Sequence, residues 1–182
     1  MQEAKRYSGV AMLLHWLIAV AVIVNWRIAE AAENLPREEA SAIMSNHFAL
    51  GMTILLLTVL RLAWRLVHRP PPLADTLAGW EKILARVTHT VFYVLLIGLP
   101  LGGWFAGSSF GSSIDMWGAF TIPALPVPEN PELGKSVFEL HATGGKAMLI
   151  LIGLHILGAL KHMFIDKDGN LWRMLPFGTP RA

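Results

Sequence analysis

Residues 137–164 read VFELHATGGKAMLILIGLHILGALKHMF. The run is longer than the ~20 apolar residues that cross a bilayer core. It nevertheless carries two histidines, His141 and His155, 14 positions apart. At about 100° per residue their directions differ by about 40°, and at about 1.5 Å rise they lie about 21 Å apart along the axis. One helix therefore presents an imidazole near each face of the membrane, along a single stripe.

Three further apolar runs precede it, at 10–26, 43–66 and 83–106. The expected helices cover about 8–28, 43–66, 83–106 and 137–164, so the fold class is all-α, a four-transmembrane-helix bundle. Composition agrees. Of 182 residues, 54% are hydrophobic and only 15% charged, against about a quarter charged in a soluble domain. Mean hydropathy is +0.49. Disorder and nucleic-acid binding are excluded by that apolar excess, and lipid is the expected surroundings. The absence of cysteine excludes disulfides, thiolate catalysis, iron–sulfur clusters and Cys-ligated zinc. The first run mimics a signal peptide, with Lys5 and Arg6 before it and Ala29-Glu30-Ala31 after it. His15 and Trp16 inside the run argue against that reading. Residues 1–182 are expected to form one membrane domain.

Basic residues set the expected orientation. One side carries Lys5, Arg6, Arg61, Arg65, Arg69, Lys82, Arg86, Lys161, Lys167, Arg173 and Arg181; the other carries Arg27, Arg37, Lys135 and Lys146. By the positive-inside rule both termini are cytoplasmic. The prolines at 70–72 end the second helix, and Pro123, Pro126, Pro128 and Pro131 mark the long external connection at 107–136 as non-helical. Trp26, Trp104 and Trp117 suit one interfacial belt; Trp16, Trp64, Trp80 and Trp172 suit the other.

Seven histidines are present, and five lie within apolar runs: His15, His47, His89, His141 and His155. Ionisable groups in a bilayer are costly and usually serve a function. Matching depth gives two pairs, His15 with His155 and His47 with His141. Two ligands per layer fit bis-histidine haem b, with two haems stacked across the bilayer. A non-haem zinc or iron site needs three or four convergent ligands, often carboxylates, and fits poorly. His89 is left over, structural or beside the haem. Gly51, Gly144, Gly145 and Gly158 follow the paired histidines and suit either macrocycle clearance or close helix packing. Arg61, Arg65 and Arg86 suit either haem propionates or topology alone. Lys146 and Lys135 are the nearest attractors for an anion on the otherwise acidic external side; Lys146 equally suits Glu139 or a propionate as partner. His68 is expected in a solvated loop.

The ordered set of features resembles the prokaryotic cytochrome b561 family over nearly the whole chain. The set comprises Tyr7-Ser8, His15-Trp16, His47 with Gly51, Arg61 and Arg65 before Pro70-Pro71, His89 with Tyr93, and Leu99-Pro100-Leu101-Gly102. It continues with His141, His155, His162 and the tail Asp168-Gly169-Asn170-Leu171-Trp172-Arg173-Met174-Leu175-Pro176. The resemblance implies a bacterial inner-membrane protein with two b haems, held by the same pairs. It implies electron transfer between a periplasmic one-electron donor, superoxide in some members, and ubiquinone near the cytoplasmic side. His162 is implied at the quinone, and His89 is the other candidate for that contact. Two other readings are a haem relay or anchor subunit for a hydrogenase or dehydrogenase, and a haem-free, His-lined transporter.

Overall fold

The computed structural model describes residues 6–73 and 77–178; Lys5 and Arg181, counted for orientation, lie outside them. Four helices dominate: α1 (Gly9–Ala32), α2 (Arg37–Val67), α3 (Gly79–Ser108) and α4 (Pro131–Lys161). All four are long and apolar enough to cross a membrane. The chain is a multi-pass membrane protein.

Local chemistry sets the helix ends. Ser8 caps α1 by accepting from the Ala11 N–H at 3.3 Å. Pro36 precedes α2, whose first turn places Glu38 and Glu39 at the positive end of the helix dipole. Glu81 reaches back to the Ala78 N–H at 2.9 Å and fixes the start of α3. Asn130 caps α4 with its side chain, and Pro131 occupies the first turn, where no N–H is needed. These caps start α2, α3 and α4 several residues before the apolar runs begin. Hydropathy locates the membrane core, whereas the caps locate the helix.

The long connection is not wholly irregular. It holds a two-stranded antiparallel hairpin, β1 (Ile114–Asp115) and β2 (Thr121–Ile122), with Ile114 opposite Ile122. Its turn places Trp117 and Gly118 at positive φ, and the Gly118 N–H is held by the Asp115 carboxylate. Ile114 and Met116 pack on Ala49 of α2, and the Trp117 indole donates to Asn46 at 3.1 Å. The hairpin thus covers the end of α2 that carries His47.

The opposite, Lys/Arg-rich end is closed by the tail. A π-turn, His162–Asp166, continues α4, and a 3-10 helix, Asn170–Met174, follows. The Arg173 carbonyl accepts from the Tyr7 N–H, and the Met174 carbonyl accepts from the Trp16 indole at 2.8 Å. The buried Arg173 guanidinium donates to the Pro72 carbonyl at 2.6 Å. The tail therefore ties the start of α1 to the connection between α2 and α3.

Helix packing is uneven. α1 lies on α2, α2 on α3 and α3 on α4, whereas among the described residues α1 and α2 each approach α4 far less. Arg173→Ala removes a buried, charge-assisted hydrogen bond. It is expected to cost about 2 kcal/mol of stability, read as an earlier unfolding transition of the protein in detergent.

Candidate functional site

Two layers of imidazoles face each other across the gaps that separate α4 from α1 and α2. At the basic end the His15 and His155 ring centroids are 6.4 Å apart, with planes inclined at 77°. Toward the hairpin the His47 and His141 centroids are 5.9 Å apart, inclined at 78°. All four rings are only partly exposed. An ion bonded to one nitrogen of each ring at about 2 Å, the usual imidazole–metal bond length, sets the centroids about 6 Å apart. Both pairs match that spacing.

The hairpin-side layer also has fixed nitrogens. His141 Nδ1 lies 2.8 Å from the Leu99 carbonyl, and His47 Nδ1 lies 3.1 Å from the Asn25 carbonyl. Each carbonyl is an acceptor, so Nδ1 carries the proton and Nε2 keeps its lone pair. A backbone bond of this kind orients a metal-binding imidazole and selects its tautomer. Leu99 directly precedes Pro100, which stands inside α3 without an N–H to donate. The sequence contained the proline as a signal but not the bond beside it.

Glycines set the close approaches. A Cβ at Gly103 would lie 3.3 Å from His141 Cε1 and 3.4 Å from Nδ1, so this glycine makes room for the ring itself. Sequence reasoning missed Gly103. A Cβ at Gly144 would lie 2.7 Å from Leu99 Cδ2, so the clearance at Gly144 admits α3. Gly145 and Gly158 have nothing within 4 Å of such a Cβ, and at buried Gly51 the nearest atom is Asn25 Nδ2 at 3.8 Å.

The basic layer holds a third imidazole. The His89 centroid is 5.9 Å from that of His155, and Phe92 lies edge-on to the same ring at 5.4 Å. His89 and Phe92 both come from α3, which packs directly on α4. His89 and Phe92 therefore approach His155 from the α3 side, and His15 approaches it from α1. Arg61 donates to the Ala11 carbonyl at 2.6 Å, one turn before His15. Lys146 and Lys135 are exposed on α4, and His68 ends α2, stacked on Trp64 at 3.7 Å.

His162 lies beyond both layers, at the start of the π-turn, with Nδ1 2.8 Å from Asp168 Oδ2. Lys161 beside it bridges Glu81 of α3 at 2.8 Å and Asp166 at 2.6 Å.

The model of the family "Prokaryotic cytochrome b561" matches residues 6–177. The chain belongs to the prokaryotic cytochrome b561 family. A Yersinia pestis protein described as "Probable superoxide oxidase CybB" is 33% identical over 94% of this chain and 97% of its own length. "Cytochrome b561 homolog 2" of Escherichia coli K12 is 27% identical over 94% of this chain and 92% of its own. "Cytochrome b562" of Cereibacter sphaeroides is 24% identical over 96% and 98%. Cytochromes b561 are membrane electron-transfer proteins that carry b-type haem, and facing imidazoles are the donors such a haem needs. Gly103→Val drives a methyl group into the His141 ring and is expected to lower haem content per chain. Gly103→Ala is expected to lower it less, both read from haem absorbance against protein.

Proposed function

We propose that this chain moves electrons across the bacterial inner membrane through two b-type haems. One is held by His15 and His155, the other by His47 and His141. The observation that carries this reading is the recurrence of the same imidazole spacing in two layers, 6.4 Å and 5.9 Å, both anchored on α4. When bound, each haem supplies a one-electron carrier whose potential follows its axial ligands and burial. The protein's own residues orient the rings and keep α4 apart from α1 and α2. The whole chain acts as one membrane domain, with both termini cytoplasmic by the positive-inside rule.

The donor assigned to the hairpin side is superoxide, and the acceptor near the basic end is ubiquinone. The first assignment leans on the relative described as a probable superoxide oxidase. Lys146 and Lys135 are the cations that would draw an anion toward the hairpin-side layer, on an end otherwise rich in carboxylates. Arg61, bonded to the Ala11 carbonyl one turn before His15, is assigned to a haem propionate. The second assignment leans on His162, a titratable donor just beyond the basic layer. Four residues are assigned as ligands. Gly51 and Gly158 are assigned to macrocycle clearance.

Haem quantified per chain, with reduced-minus-oxidised spectra, tests this directly. The wild type is expected to hold two haems. His47→Ala and His141→Ala should each lose the same haem, and His15→Ala and His155→Ala the other, while His89→Ala should keep both. Any ligand variant should lose superoxide-driven quinone reduction. A wild type with one haem, or loss of a haem in His89→Ala with retention in His15→Ala, would sink the assignment.

A further inference from the structure

At the basic end α4 does not simply stop. The helix widens into the π-turn His162–Asp166, the Lys167 N–H returns to the His162 carbonyl, and Lys167 takes left-handed φ of 54°. Single π-turns of this sort are frequent at functional positions. The widening brings two carboxylates onto one imidazole nitrogen. Asp168 Oδ2 lies 2.8 Å and Asp166 Oδ2 2.9 Å from His162 Nδ1.

The two carboxylates are not equivalent. Asp166 is the more exposed, and its Oδ2 is held by the Lys161 ammonium at 2.6 Å. The Lys161 ammonium also reaches Glu81, so the space among Glu81, Asp166 and His162 is already served by a cation of the chain. Asp168 is the buried one, with a side chain 5% exposed. It accepts from the Asn170 N–H at 3.0 Å, from Asn170 Nδ2 at 2.7 Å and from the imidazole. A buried carboxylate is tolerated only when its oxygens are satisfied, and one of its three partners here is His162. The Asn170 contact alone is an Asx-turn, which asparagine would make as well. Of these three partners, the imidazole is the one that gains from the charge.

We propose that Asp168 is the positioning residue of the quinone-reducing site. It holds the His162 Nδ1–H on its carboxylate, so that Nε2 is the nitrogen that gives a proton to the quinone oxygen. This rests on the proposed assignment of His162 to the quinone. Nε2 has no hydrogen-bond partner among the described residues. Reducing one quinone to quinol takes two electrons, delivered one at a time, and two protons. One proton is the Nε2 proton of imidazolium, which leaves neutral His162 with its Nδ1–H still on Asp168; the other comes from water. An open cleft of about 580 Å³, lined by Glu81, Lys161, Asp166 and Asp168, adjoins the cluster and is the route by which water recharges the ring. While the ring is charged, Asp168 and Asp166 face it from the tail and Glu81 from α3, and these three carboxylates offset its charge together with that of Lys161 on α4.

Asp168→Asn tests this, because asparagine keeps the turn and removes the charge. The full-length haem-loaded protein in lipid nanodiscs is reduced, then mixed with decylubiquinone in a stopped-flow spectrometer. Haem content, spectrum and the rate of reduction by superoxide are expected to stay as in wild type. Quinone-driven reoxidation is expected to slow on the order of 100-fold, the scale of a lost general acid. The loss should fall on kcat with KM for quinone unchanged, and added imidazolium buffer should restore part of the rate, which a merely structural lesion would not show. If His162→Gln slows reoxidation and Asp168→Asn does not, the positioning role is overturned and the quinone assignment stands. If His162→Gln leaves the rate unchanged, the quinone assignment itself fails. Should Asp168→Asn not retain haem, Asn170→Ala takes its place. That variant loosens the carboxylate without removing it, and a fall on the order of 10-fold is expected; an unchanged rate overturns the proposal.

Discussion

An imidazole in a bilayer must have both nitrogens accounted for, because lipid offers neither donor nor acceptor. In the hairpin-side layer each Nδ1 finds a backbone carbonyl on a neighbouring helix, Leu99 for His141 and Asn25 for His47. Those bonds fix the tautomer and leave the lone pair on Nε2. The rest of the architecture follows from keeping the gap between the facing rings. Gly103 and Gly144 let α3 close onto α4, while α1 and α2 stay away from it. The result is one packed side and one divided side, with the facing imidazoles on the divided side.

The two ends complete this arrangement differently. The hairpin seats Ile114 and Met116 on α2 beside His47, and ties Trp117 to Asn46. The tail instead links Arg173, Tyr7, Trp16 and Pro72 through backbone carbonyls. It also carries the titratable cluster around His162. The chain is thus asymmetric along the membrane normal, acidic at the hairpin and basic at the tail, where His162 sits among carboxylates. That asymmetry is what a carrier needs when it joins a donor on one side to an acceptor on the other.

Much of this was legible in the sequence, because hydropathy and helical period are strong signals in a membrane chain. The spacing of His141 and His155 along one stripe needed only helix geometry. Depth then named His15 and His47 as their counterparts, and the structure brings both rings within about 6 Å of them, with His89 added beside His155 at 5.9 Å. Helix ends were less legible, since Asn130, Pro36 and Glu81 act outside the apolar runs. The hairpin was hidden among prolines: Pro123, Pro126 and Pro128 stand outside helix, whereas Pro131 opens α4 and residues 131–136, expected in the connection, are helical. Gly103 and the Leu99 carbonyl were missed, although Pro100 in the middle of an apolar run pointed to that turn. Asp168 stood in the quoted tail, yet only the π-turn reveals that it meets His162.

The central claim is that the two facing pairs each clamp one haem. Low-temperature electron paramagnetic resonance of the oxidised protein in membranes, with spins counted per chain, tests it most directly. The inclinations of 77° and 78° place both pairs of imidazole planes close to perpendicular. The account predicts two low-spin ferric haems per chain, both with the strongly anisotropic signal of perpendicular axial imidazoles. A single spin per chain, or a high-spin signal from a haem lacking its second imidazole, would contradict it.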